Sequence, residues 1–182
     1  MADNLFLKTL NGHKQSKTPI WMMRQAGRYL EEYRQIRARQ TDFISFCLNP
    51  EQASIVTLQP ITRYRFDAAI LFSDILMVPW ALQRNVRFKP NVGPLLDPMQ
   101  SPKAIEQNLI DDLPQKLAPV GEALRLTKSN LSTETALIGF AGAPWTVMTY
   151  MAEGGSSRDF AITREWAWKY PKQVDALLGS LI

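Results

Sequence analysis

The run "AAILFSD", residues 68–74, decides how this chain is read. Its first five residues are apolar without polar alternation, the pattern of a strand covered on both faces. Ser73 and Asp74 then follow with no spacer. Two more runs of the same kind are Pro19–Met23 ("PIWMM") and Ala136–Phe140 ("ALIGF"), and both are expected as buried strands. Helical pattern lies between the three. Asn49-Pro50 offers an N-cap with proline at the first helical position, and Gln52 is placed for a capping-box contact. Ser101-Pro102 repeats that signal ahead of "KAIEQNL", so a helix is expected there too. "WTVMTYMAE" (Trp145–Glu153) reads as a helix ended by Gly154. The stretch from Lys89 to Pro102 carries four prolines and is expected to be irregular. Strands alternating with helices indicate an α/β architecture with parallel strands.

With 182 residues, 46% hydrophobic and 21% charged, the chain has material for a core and reads as a single domain spanning 1–182. About three βα units fit in it, whereas a closed eight-unit barrel takes roughly 250 residues. The last stretch, "PKQVDALLGSLI", reads as a helix from Pro171 that reaches Ile182 without a cap, so the sequence is expected to be cut short. No apolar run approaches the roughly 18 residues that span a membrane, and no secretory signal pattern opens the chain. Cys47 is the only cysteine, which rules out an intrachain disulfide and fits a reducing compartment.

The net charge of +4 is unevenly placed. Residues 1–40 hold eight Lys/Arg against three Asp/Glu, and the remainder holds 13 against 14. The absence of a long Lys/Arg run or zinc-finger spacing argues against nucleic acid, and a small acidic ligand accounts for the clustering as well. His13, the sole histidine, sits in a polar N-terminal stretch and is not expected to be catalytic. With one histidine and one cysteine, no zinc site of the usual ligands can be assembled. "AGAPW" (Ala141–Trp145) and "EGGSS" (Glu153–Ser157) match neither a phosphate loop nor a dinucleotide fingerprint, and "GGSS" reads as a loop and a candidate lid.

Chemistry concentrates where the expected strands end. The first ends in "RQAGR" (Arg24–Arg28), the second in Ser73-Asp74 and the third in "AGAPW". Ligands of parallel α/β folds gather at the carboxyl ends of strands, so these three segments are expected to share one face. Arg24 and Arg28 flank Gly27 in the turn and suit a carboxylate ligand, the alternative being a plain helix face. Arg34, Arg37 and Arg39 with Glu31 and Glu32 read as a solvated helix face. Asp74 is either a structural carboxylate balanced by arginine or a functional one. Tyr150, in its helical context, is either a core aromatic or a ligand contact.

At "MRQAGRYL", "FSDIL" and "GFAGAPWTVMTYM", in this order, the sequence resembles the uroporphyrinogen decarboxylase family of porphyrin and haem biosynthesis. The resemblance runs over nearly the whole chain. It implies a (βα)8 TIM barrel, represented here by its first βα units, and a cytoplasmic homodimer acting without metal or organic cofactor. The implied reaction removes the carboxyl groups of the four acetate side chains of uroporphyrinogen III, giving coproporphyrinogen III. Nucleic acid and membrane are not implied partners. Carried over residue by residue, the resemblance makes Arg24, Gln25, Ala26, Gly27 and Arg28 the substrate-lining run, Asp74 the central aspartate and Tyr150 the pocket tyrosine. Arg24 and Asp74 are the implied catalytic pair. The family's serine or threonine and its histidine, from its second half, have no counterpart here, which leaves the activity of this stretch by itself open. Two other readings are a metal-dependent methyltransferase of the same barrel superfamily and a non-catalytic porphyrinogen-binding fragment.

Overall fold

The computed structural model describes residues 4–89 and 92–182. In chain order the helices before the first strand are α1 (Leu5–Leu10), α2 (Glu31–Arg37), α3 (Phe43–Cys47) and α4 (Pro50–Tyr64). Then come β1 (Ala68–Ile70), α5 (Met77–Ala81), β2 (Arg87–Lys89), β3 (Gly93–Leu95), α6 (Gln107–Asp111) and α7 (Leu113–Lys116). The last are α8 (Ala118–Asn130), β4 (Ala136–Ile138), α9 (Pro144–Glu153), α10 (Ala161–Lys169) and α11 (Pro171–Gly179). These elements form two compact units, Met1–Ser73 with Pro119–Phe140 and Asp74–Ala118 with Ala141–Ile182.

In the first unit β1 and β4 pair in parallel, with Ala68 opposite Ala136 and Ile70 opposite Ile138. All three residues of β1 are buried, as a run without polar alternation requires. α4 covers the pair. It starts as expected, the Asn49 side chain accepting from Gln52 N–H at 3.0 Å with Pro50 in the first turn. It ends at Arg65 in the left-handed conformation. Thr57 on its buried face accepts from Phe72 N–H at 2.9 Å and donates to the Ala53 carbonyl at 2.7 Å, so the backbone beyond β1 is tied to the helix. Phe72 stacks on Phe46 with ring centroids 4.7 Å apart and meets Tyr33 and Phe43, each at 5.8 Å. Such aromatic pairs add about 0.5–1.5 kcal/mol each beyond burial.

Pro19–Met23 is not a strand. Its backbone meets β1's approach at one residue, where Ile20 N–H donates to the Asp67 carboxylate and Asp67 N–H to the Ile20 carbonyl. Ile20, Met22 and Met23 are exposed. Apolar content alone did not distinguish this surface segment from a buried strand, because burial depends on a partner edge being free, and that edge is already occupied.

In the second unit β2 and β3 form an antiparallel ribbon, and β3 lies within the proline-rich Lys89–Pro102 stretch expected to be irregular. Pro94 is tolerated there because a two-stranded ribbon leaves an edge that needs no donor. Pro90 and Asn91 lie outside the described residues. The Ser101-Pro102 signal does not start a helix; α6 begins at Gln107. Pro102 is instead buried, and Ile105 N–H donates to Ser180 Oγ at 3.3 Å, so long-range contacts override the local cap. α9 does end at Gly154, whose φ of +76° suits glycine. In the stretch expected as a loop and candidate lid, the Gly154 carbonyl accepts from Leu96 N–H at 3.0 Å and Gly155 bridges Leu95. A Cβ at Gly155 would meet the Pro94 carbonyl at 3.0 Å, so this pair is closely covered by the 94–98 segment.

Candidate active site

The RQAGR segment is a turn of the first unit, and its middle is held while its guanidiniums are not. Gln25 is 1% exposed and reaches β1 with both ends of its amide: Nε2 donates to the Ala68 carbonyl at 2.8 Å and Oε1 accepts from Ile70 N–H at 2.9 Å. The Gln25 carbonyl accepts from the Tyr29 hydroxyl. Ala26 packs on the cluster of Leu30, Tyr33, Phe46 and Val56. Gly27 accepts from Leu30 N–H through its carbonyl at 3.0 Å, and a Cβ there would make only ordinary contact with the Tyr29 ring. Arg34 Nη1 donates to the Arg28 carbonyl at 2.7 Å. Arg34 is exposed, as expected of a solvated face, and it also braces the turn; the spacing of six residues from Arg28 holds no signal of that bond.

Arg24 and Arg28 are both exposed, and among the described residues neither guanidinium makes a hydrogen bond or salt bridge. By contrast Glu32, near the turn in sequence, is paired with Arg63 at 3.3 Å. Two arginines presented from a braced backbone without internal partners suit capture of carboxylates from a ligand, for which the planar guanidinium gives a bidentate fork.

Asp74 lies at the start of the second unit. Its Oδ1 accepts from Leu76 N–H at 2.8 Å, the side chain closing a tight turn onto its own backbone. Burial pushes the Asp74 carboxyl pKa above the ordinary range, and the Leu76 hydrogen bond opposes the rise. Among the described residues, no lysine or arginine of its own unit forms a salt bridge with it. An Asp kept as a counter-ion to arginine would show the opposite pattern. Gly142 lets the next turn approach: a Cβ there would sit 2.8 Å from Val147 Cγ2 and 3.1 Å from Ile75 Cβ. The Asp74 turn and the AGAPW turn are thereby packed together at Ile75 and Gly142. Tyr150, two turns into α9, is half-buried between buried Thr149 and Met151. Among the described residues no cluster of three or more His, Cys, Asp or Glu could hold a metal ion.

Over residues 1–182 the chain matches the family model described as uroporphyrinogen decarboxylase (URO-D). The chain belongs to the uroporphyrinogen decarboxylase family. A relative of that name from Rhodospirillum rubrum is 51% identical over 177 residues, covering 97% of this chain and 51% of the relative. Those from Chelativorans sp. and Maricaulis maris are 50% and 51% identical, covering 100% and 96% of this chain but 53% and 50% of their own lengths. The chain thus spans about half the length of the curated relatives it matches. A solved methyltransferase from Methanosarcina mazei superposes with a TM-score of 0.70 at 16% identity, covering 96% of this chain and 50% of that one. At that identity the likeness concerns the fold alone. It agrees with the family's TIM barrel, of which this chain contains the first βα units.

Proposed function

We propose that this chain is the N-terminal half of a uroporphyrinogen decarboxylase that converts uroporphyrinogen III to coproporphyrinogen III. The observation that carries the reading is Asp74, a carboxylate desolvated by burial, fixed by the Leu76 amide and, among the described residues of its own unit, without a salt bridge. Each acetate arm of the substrate loses carbon dioxide and gains a proton, becoming a methyl group. The electron pair released from the carboxylate needs a sink, and a pyrrole protonated at a ring carbon supplies one without any cofactor. Asp74, facing the pyrrole N–H groups, stabilises the cation that develops there, because a preorganised charge needs no reorganisation during the reaction. Arg24 and Arg28 bind substrate carboxylates, with Arg24 orienting the reacting acetate or delivering its proton, while Gln25, Ala26 and Gly27 shape that wall. Tyr150 is a further substrate contact. The single cysteine suits a cytoplasmic protein, and the family resemblance suggests a homodimer.

The test is anaerobic incubation of the full-length protein with uroporphyrinogen III, followed by oxidation and fluorescence chromatography of the porphyrins. The expected product is coproporphyrin with four equivalents of carbon dioxide released. Tight substrate binding without carbon dioxide release would support a non-catalytic porphyrinogen-binding protein instead.

A further inference from the structure

β4 uses the odd-numbered backbone groups next to β1: Ala136 N–H donates to the Asp67 carbonyl and Leu71 N–H to the Ile138 carbonyl, both at 3.0 Å. The Ala68 carbonyl and Ile70 N–H are left for the other edge. A parallel neighbour would place one residue there, opposite Ala69, donating to the first and accepting from the second. Gln25 does both with its side-chain amide, which carries donor and acceptor on one plane as a peptide group does. Its near-complete burial shows that this amide is committed to the sheet edge rather than to solvent.

We propose that Gln25 is a positioning residue, its amide standing in for a β-strand beside β1 so that Arg24 and Arg28 leave the turn from a fixed backbone. The inference rests on the carboxylate-binding reading of those two arginines. Tyr29 and Arg34 also hold the turn, at the Gln25 and Arg28 carbonyls. Losing the amide therefore loosens the turn without releasing it entirely. Two buried backbone groups lose their partners, and the guanidiniums are presented from a less certain position. Substrate capture suffers more than the chemical step.

The experiment measures KM and kcat for uroporphyrinogen in the full-length protein carrying Gln25→Leu, Gln25→Glu, Arg24→Ala or Arg28→Ala. Gln25→Leu is expected to raise KM roughly tenfold, the effect of orphaning a buried backbone group, with kcat changed less than about twofold. Gln25→Glu keeps the acceptor for Ile70 N–H but turns a carboxylate oxygen towards the Ala68 carbonyl. Its protonated form donates there again, so its KM relative to wild type should fall as pH is lowered from about 8 to about 5. Gln25→Leu should show no such rescue. A ratio that does not change with pH overturns the inference. Should Gln25→Leu fail to fold, hydrogen exchange of the wild-type protein still decides: Ile70 N–H should exchange as slowly as Leu71 N–H, and fast exchange overturns the clamp. Should Arg24→Ala and Arg28→Ala leave KM unchanged, the carboxylate-binding reading fails; should they raise it while Gln25→Leu does not, only the positioning role fails.

Discussion

Asp74→Asn separates the charge of this side chain from its shape. The asparagine amide oxygen occupies the same place and can still accept the Leu76 N–H, held at 2.8 Å in the wild-type chain. What disappears is a negative charge that burial already disfavours. Because the folded-state pKa of Asp74 lies above its unfolded value, the native protein binds that proton more readily than the unfolded chain. Its contribution to stability is full below the ordinary value of 3.8 and is lost as pH rises through the raised pKa. The Tm of Asp74→Asn should match wild type in acid and exceed it at neutral pH. Turnover should move the other way: losing a preorganised charge costs about 3–4 kcal/mol in the barrier, roughly 10²–10³ in kcat. Asp74→Ala removes the hydrogen bond as well and strands the Leu76 N–H, on a residue only 1% exposed. That orphan costs about 1–3 kcal/mol. The assay is scanning fluorimetry across pH beside anaerobic uroporphyrinogen turnover, both on the full-length protein. Normal turnover by Asp74→Asn, or a Tm below wild type at neutral pH, would refute the reasoning and make Asp74 a structural charge.

Three further outcomes are expected in the same protein. Arg24→Ala should raise KM for uroporphyrinogen at least tenfold, as the loss of a charge-assisted hydrogen bond implies (about 1.5–3 kcal/mol), whereas Arg39→Ala, exposed and without a side-chain partner among the described residues, should stay near wild type; steady-state kinetics compare them. Arg28→Lys keeps the charge but loses the planar fork, so KM should rise more than charge counting suggests, read by titrating substrate at constant ionic strength. Gly142→Ala places a methyl 2.8 Å from Val147 Cγ2 and should cost about 1–3 kcal/mol by urea unfolding; an unchanged midpoint would show that the two turns are not closely packed.

The sequence by itself carried whatever depends on a few neighbouring residues. The Asn49-Pro50 start of α4 and the Gly154 end of α9 follow from caps whose donors and acceptors lie within one turn, and the start of α11 from proline at its first position. β1 and β4 were legible as short apolar runs, and the motifs marked the residues at their ends. Tertiary structure decided which polar groups were already spoken for. Pro19–Met23 carries a strand's composition yet lies on the surface, because the Gln25 amide just beyond it takes the β1 edge it would have needed. Ser101-Pro102 has a cap's composition, but the backbone that would continue the helix is bonded to Ser180 instead. Whether Asp74 was a counter-ion or a reactive group could not be read from its apolar flanks either. Local sequence states what a group could bond to; only the assembled chain shows that Gln25 is committed to β1 while, among the described residues, the Arg24 and Arg28 guanidiniums have no hydrogen-bond partner.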